Sequence, residues 1–321
     1  MFMIRKPIPR IVSIGLGVAS TMLLIGVYSW LANGRAAAQR QSIVEQLQRV
    51  QSNLESVQSE LAADPASSDL QQKTKQLEAQ VANLQIESTT AVDRAMPTFA
   101  SLYKDGLLRV LEPQGLNKDE HWLLEDAWAT AYRLIAGLLV GVLLSMVIGI
   151  LMGSYTWIEA FFLPPLSFLA KIPPTAMLAV FFVLVGTDFK MYVTMIAFGT
   201  LPTLAQTVYQ SAKKDVPESL VYKAYTLGAS HGEMIWNVIY KQILPRIIDA
   251  IRLQIGPAMV LLVAAEWMVA GEGFGYRLRL FYQRTDMTVV YLYLILLGAA
   301  GLAADYFLTW LRRKLCPWFG E

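Results

Sequence analysis

Apolar residues gather in six long runs along this chain, over 11–32, 127–152, 160–186, 190–209, 254–270 and 287–310. A helix needs roughly 20 apolar residues to cross a bilayer core, so the pattern predicts about six crossings. The first run follows Arg5, Lys6 and Arg10. A cleavable signal peptide competes for it, helped by the small residues Ala36, Ala37 and Ala38. A signal peptide's apolar core is only about 7–15 residues long, and this one is longer, which favours an uncleaved anchor over 1–32.

Basic residues set the expected orientation, because they are retained on the cytoplasmic side. With the amino terminus inside, six crossings bring Arg312, Arg313 and Lys314 back to the cytoplasm, together with the short tail 316–321. The loop between the fourth and fifth runs, 211–249, then also lies inside and carries Lys213, Lys214, Lys223, Lys241 and Arg246. The loop after the fifth run departs from the rule and places Arg277, Arg279 and Arg284 outside.

The third run is interrupted by Pro164, Pro165, Pro173 and Pro174, with Lys171 at its centre. Proline frees a backbone carbonyl, which membrane depth tolerates only against protein or a water-filled cavity. A kinked interior helix and a discontinuous segment beside a pathway both fit. On either reading Lys171, Pro173 and Pro174 are pathway candidates.

Residues 33–95 follow a different period. Ile43, Leu47, Val50, Leu54, Val57 and Leu61 alternate steps of four and three, as do Leu77, Val81 and Leu84 after Leu70. Asp64-Pro65-Ala66-Ser67-Ser68-Asp69 breaks the helix between them. This predicts an antiparallel coiled-coil hairpin on the external side, serving as a spacer, a dimer contact or a docking surface. Pro97 to Leu111 is expected to form a short amphipathic helix at the membrane face, opening a core domain over 96–315.

Composition narrows the class. Hydrophobic residues make up 55% and charged residues 16%, against about 25% charged in a soluble domain. A formal net charge of +2 argues against a nucleic-acid surface. One cysteine, Cys316, excludes an intramolecular disulfide and a Cys-based metal cluster. His121 and His231 are too far apart in unlike surroundings to suggest a metal centre. The expectation is an all-α polytopic membrane protein with no cofactor.

Local signals are densest over Asp215–Arg246. Asp215 and Glu218 have capping-box spacing, with Pro217 in the first turn. Gly228 stands where a helix C-cap is wanted, and Ser230 with Glu233 opens a second helix reaching Leu244-Pro245. An interfacial helix pair that merely tiles the membrane would carry the same caps.

At these residues the chain resembles the permease subunits of bacterial ATP-binding-cassette importers, whose cytoplasmic E-A-A-x3-G-x9-I-x-L-P loop docks on an ATPase. Tyr222-Lys223-Ala224 stands for E-A-A and Leu227-Gly228-Ala229-Ser230 for L-G-A-S, while Lys241 occupies the usual proline position and Ile243-Leu244-Pro245 supplies a similar ending. Thr130-Ala131-Tyr132-Arg133 with Gly137, Gly141, Gly149 and Gly153 is similar to the nitrate, sulfonate, taurine and bicarbonate branch. So are Lys171-Ile172-Pro173-Pro174-Thr175-Ala176 and Val263-Ala264-Ala265-Glu266 followed by Gly273-Phe274-Gly275-Tyr276. The likeness covers about 97–315 and leaves the hairpin outside it.

The resemblance implies a type I importer permease fold and a non-catalytic subunit; no G-x-x-x-x-G-K-[ST] phosphate loop is present. Its implied partners are a separate ATPase, an external substrate-binding protein, a second permease copy and the lipid bilayer. The ATPase contacts would fall on Val221, Tyr222, Lys223, Ala224, Tyr225, Leu227, Gly228, Leu244 and Pro245. The branch's usual cargo is small oxyanions, sulfonates and bicarbonate, with neutral or aromatic cargo left open. A membrane scaffold or sensor using the hairpin is the alternative.

Two acids stand in apolar surroundings. Glu266 is a pathway candidate, but an ionised carboxylate at membrane depth costs on the order of 2.5–3.5 kcal/mol, which favours a structural pair with a buried arginine or backbone amide. Asp305, two turns before Arg312, is expected as an interfacial charge.

Overall fold

The computed structural model describes residues 9–63, 68–90, 96–114 and 121–319. The break expected at 64–69 lies largely outside the described residues, as do Arg5 and Lys6. The chain forms two compact units, one of residues 1–109 with 285–291, the other of 110–284 with 292–321.

In the first unit, helix α1 runs without interruption from Arg10 to Ala63. The apolar anchor and the first arm of the heptad segment are therefore one helix, not two elements meeting at residue 32. Nothing between Leu31 and Ile43 breaks it: Gly34 is isolated, and Ala36, Ala37 and Ala38 are the best of helix formers. Helix α2, Ser68–Thr90, packs against α1. The positions at steps of four and three are the shielded ones, with Val57 and Thr74 buried and the others half-buried. Thr74 fills the gap between Leu70 and Leu77, and its hydroxyl donates to the Leu70 carbonyl at 2.8 Å, so a polar side chain sits in the seam without an unmet donor.

The expected amphipathic helix is present as Phe99–Ser101, a wide π turn over Leu102–Leu108, and Arg109–Leu111. Tyr28 ties α1 to its start. The hydroxyl donates to the Pro97 carbonyl at 2.7 Å, and its ring lies 5.1 Å from Phe99 and 6.1 Å from Tyr291.

The second unit is built on α3, Trp122–Ser154, and α6, Phe189–Lys214. Gly137, Gly141, Ser145, Gly149 and Gly153 recur every four residues on α3 and face α6, allowing close backbone approach. At Gly141 a Cβ would stand 2.2 Å from the Thr200 hydroxyl, so no larger residue fits without moving a helix. Between them in sequence, α4 (Thr156–Leu169) and α5 (Leu178–Val185) flank a short 3-10 turn over Pro174–Met177. After α6 come α7 (Glu218–Thr226), α8 (Lys241–Val269), α9 (Phe274–Gln283) and α10 (Met287–Leu315).

Among the described residues, four helical runs are long and apolar enough to cross a membrane, or five when α4 and the Pro174–Val185 run count as one broken span. The expected crossing at 190–209 falls within α6, which is not among them. Met195, Ile196, Leu204 and Ala205 of α6 are completely buried. A helix so screened on this face can carry Thr200 and Gln206 there without meeting lipid.

Two local expectations are corrected. The fifth run is not separate from the loop helix: one helical run extends from His231 to Val269. Pro245 lies inside it, just past a wide π turn over Met234–Tyr240. The carbonyl that Pro245 leaves without its helical donor is that of Lys241, an exposed residue. The Asp215/Glu218 capping box does not form either. Pro217 is the N-cap of α7, in extended conformation, with no side-chain cap bond. Proline disfavours helical geometry at the residue before it, so Val216 cannot enter the helix. Asp215 instead ends α6, donating its N–H to the Ser211 carbonyl at 2.9 Å.

Candidate functional site

The loop after α6 is defined by its two turns. α7 ends in a Schellman motif: Gly228 has φ +87°, its N–H donates to the Tyr225 carbonyl at 3.0 Å, and the Ala229 N–H donates to the Ala224 carbonyl at 3.1 Å. Two residues on, the expected capping box is complete. The Glu233 N–H donates to Ser230 Oγ at 3.3 Å, and the Ser230 N–H donates to Glu233 Oε2 at 2.9 Å. The turn between the helices is therefore locked on both sides by local hydrogen bonds.

The residues expected to dock an ATPase divide into two groups. Val221 and Ala224 face inward and pack with Val216, Met234, Ile239 and Ile243. Pro245 is buried and Leu244 half-buried. Facing outward are Tyr222, Lys223, Tyr225 and Leu227. Leu227 is 88% exposed, which is exceptional for leucine beside a packed core. Tyr225 shares a 2.9 Å hydrogen bond with His231 Nδ1, joining the two helices across the turn. Beneath them lies a cavity of about 210 Å³, lined in part by Lys213, Val221, Tyr225, His231 and Met234.

The loop is anchored to the helices that carry it. Glu159 on α4 accepts from the Tyr209 hydroxyl and from Lys213 Nζ, the latter at 2.5 Å. Arg246 reaches Asp215 at 3.7 Å and lies over the Phe319 ring.

The broken segment bends by 82° between α4 and the Pro174–Val185 run. Lys171 and Pro173 are exposed at the bend and Pro174 is half-buried. A cavity of about 380 Å³ opens beside it, lined by Ile172, Pro174, Thr203, Gln254 and Pro257 among others. Pro202 and Pro257, inside α6 and α8, converge on the same cavity.

Glu266 is elsewhere, in a polar cluster that joins α3, α8 and α9. The carboxylate is wholly buried and accepts from Arg133 Nη1 at 2.8 Å, Thr130 Oγ1 at 3.0 Å and the Gly275 N–H at 3.0 Å. This is the buried-arginine and backbone-amide pairing favoured from its surroundings. A second carboxylate, Asp126, repeats the arrangement. It accepts from Arg277 Nε at 2.6 Å, the Tyr293 hydroxyl at 2.8 Å and the Gly273 N–H at 2.8 Å. The Phe274 N–H donates to Thr130 Oγ1 at 2.8 Å. The N–H groups of Gly273, Phe274 and Gly275, which the helix itself cannot satisfy, are thus all met by side chains of α3 and α8.

The sequence reading missed Asp126 and Tyr293, and treated Arg277 as a free basic residue outside the membrane. A signal was available: Arg277 and Asp126 both border apolar runs, and buried charges are paired. Asp305 is likewise held. It accepts from Arg252 Nε and Nη2, both at 2.8 Å, while Arg312 grips Asp249 at 2.8 Å. Among the described residues no group of His, Cys, Asp and Glu is placed to hold a metal ion.

Comparison with known proteins adds relatives. A family model described as binding-protein-dependent transport system inner membrane component matches residues 141–316. A probable ABC transporter permease of Brucella melitensis is 29% identical, over 61% of this chain and 79% of its own length. The taurine transport system permease protein of Escherichia coli is 26% identical, over 67% and 77%. In structure, the chain is similar to a subunit of the MetNI methionine ABC transporter in an inward-facing conformation, with TM-score 0.51, 18% identity, and coverage of 60% of this chain and 96% of that one. That last likeness concerns the fold.

Proposed function

Because the chain belongs to the family of binding-protein-dependent transport system inner membrane components, a non-catalytic permease subunit of an ABC importer, we propose that it forms the translocation pathway for a small anionic solute and couples that pathway to a separate ATPase through its 216–245 loop. In this reading a second copy completes the pathway, and a binding protein delivers solute on the outer face. ATP-driven closure of the ATPases moves the loops and switches access between the two sides. Both termini and the 211–249 loop lie in the cytoplasm, and the helix pair of 33–95 stands outside.

The observation that carries the coupling role is the exposure of Leu227 at a turn locked by the Schellman motif and the Ser230 capping box. A leucine held almost entirely in solvent by rigid flanking geometry is a knob without its hole. Tyr222 and Tyr225 beside it broaden an apolar contact, with Tyr222 in place of the family's acidic residue. The anionic cargo rests on relatives named for taurine, aliphatic sulfonate and bicarbonate transport.

The test is purification of the tagged chain from its native membrane in mild detergent, with companions identified by mass spectrometry. A Walker-motif ATPase in about one-to-one ratio, lost on Leu227→Asp, is the expected result. Intact permease dimers without any ATPase would overturn the coupling role.

A further inference from the structure

The cavity beside the break in the third apolar run has a chemistry that narrows the solute. None of its thirteen lining residues is ionisable. Its volume, about 380 Å³, falls in the range of pockets that take small organic molecules. One wall is apolar, with Leu169, Ile172, Val260 and Leu261, and the polar groups are few enough to account for individually.

Gln254 Nε2 donates to Thr203 Oγ1 at 3.0 Å, bridging α8 and α6 across the cavity. The Thr203 hydroxyl donates in turn to the Thr200 carbonyl at 3.2 Å. These bonds leave one Gln254 N–H, the Gln254 carbonyl oxygen and the Thr175 hydroxyl to face a solute. A further acceptor comes from the backbone. Pro202 has no N–H to give to the carbonyl four residues earlier, that of Phe198, and both residues line the cavity. The unspent groups of this lining are therefore donors and acceptors in mixture, and none of them is charged.

We propose that this cavity is a solute subsite whose selectivity is set by Gln254, Thr203 and Thr175, and that it takes a small organic solute bearing N–H or O–H donors as well as oxygen acceptors, not a bare inorganic oxyanion. A bare oxyanion has acceptors only, so it would meet the Phe198 and Gln254 carbonyl oxygens with repulsion and find no lining cation to compensate. A solute with its own donors satisfies those carbonyls, and a short apolar stretch rests on the Ile172 and Leu261 wall. The inference rests on the importer reading and narrows its cargo to organic solutes whose acidic group is accompanied by hydrogen-bond donors.

The chain's single cysteine makes the test direct. Cys316 is buried and lies outside the cavity. In a Cys316→Ser background, Ala170→Cys places a reporter thiol in the lining while Thr175, Thr203 and Gln254 stay native. The complex is purified from its native membrane, and the rate of modification by a small water-soluble methanethiosulfonate is followed with 2-aminoethanesulfonate or inorganic sulfate present. Expected is a reactive thiol, slowed by aminoethanesulfonate and not by sulfate. Gln254→Leu should weaken that protection by roughly threefold to tenfold, the worth of one hydrogen bond, and Gln254→Asn should restore part of it. A thiol unreactive with and without nucleotide, or protected equally by both probes or by neither, overturns the subsite. Recovery of the ATPase with the same preparation keeps the importer reading intact in those cases, whereas its absence counts against that reading itself.

Discussion

Arg133 Nη1 and Glu266 Oε1 meet at 2.8 Å with the carboxylate at zero exposure, and the same arginine also binds the Glu272 carbonyl at 3.0 Å. One guanidinium thus holds both a buried acid and the backbone leading into α9. Opposite charges at this depth offset each other's desolvation only while both are present, so each makes the other tolerable. Arg133→Met, which leaves the buried Glu266 without a cation, should therefore cost about 3–5 kcal/mol, and Glu266→Ala less, because Arg133 keeps the Glu272 carboxylate at 3.0 Å. Thermal unfolding in detergent of E266A, R133M and the double variant checks this. The double variant should be less damaged than the sum of the singles, and simple additivity would refute the pairing.

Asp126 supports a separate prediction, because three donors converge on it. Tyr293→Phe removes one neutral donor and should cost about 1 kcal/mol. Asp126→Asn retains the shape but leaves Arg277 uncompensated, and should cost several times more. Equal losses for the two variants would show that Arg277 finds another counter-charge.

At Gly228 the backbone conformation itself is the constraint. A φ of +87° with no atom within 4 Å of an added Cβ means that strain, not crowding, opposes a side chain there. Gly228→Val should cost about 1–3 kcal/mol of local strain and reduce ATPase stimulation in reconstituted membranes, while Gly228→Asn keeps most of the coupling. A valine variant with native stimulation would mean the turn is not needed for docking.

Leu227 separates docking from folding. Its side chain has almost nothing to lose in the isolated subunit, so Leu227→Asp should change stability by less than about 0.5 kcal/mol. Binding of the ATPase should nonetheless fall sharply, as measured by co-purification. A variant that loses stability and binding together would point to a packing role that the exposure contradicts.

Crowding rather than strain operates where α3 crosses α6. Gly141→Leu should lose at least about 1–3 kcal/mol through overpacking against Thr200, read as a lower unfolding temperature. The nearby exposed position Leu139 should accept Ala with little effect, which controls for general damage to the helix.

Period and punctuation made much of this architecture legible. The heptad spacing of Ile43 to Leu61 appears as the shielded face of α1, and Ser230 with Glu233 forms the capping box its spacing announced. Short-range hydrogen bonding determines such features, and short-range pattern reveals them. What escaped depended on partners distant in the chain. Asp126 and Tyr293 lie far apart in sequence, and no periodicity links an acid at a helix start to a tyrosine in the last helix. Pro217 overrode the Asp215 cap through a steric effect one residue upstream, and Pro245 proved compatible with a helix because the carbonyl it leaves without a donor belongs to the exposed Lys241. The residues expected to dock an ATPase were named as a set, yet only the packed core could sort Val221 and Ala224 inward from Tyr222 and Leu227 outward.

The uninterrupted course of α1 has a mechanical consequence. From Ala32 to Ala63 the helix extends about 46 Å at ~1.5 Å per residue, with no proline or break in the described backbone to absorb a bend. Pivoted at its apolar half, such a rod behaves as a lever: a tilt of about 10° sweeps its far end by about 8 Å for that length. Small rotations of the apolar half would reach the remote end of the helix pair magnified, and a load applied there would return to that half as torque.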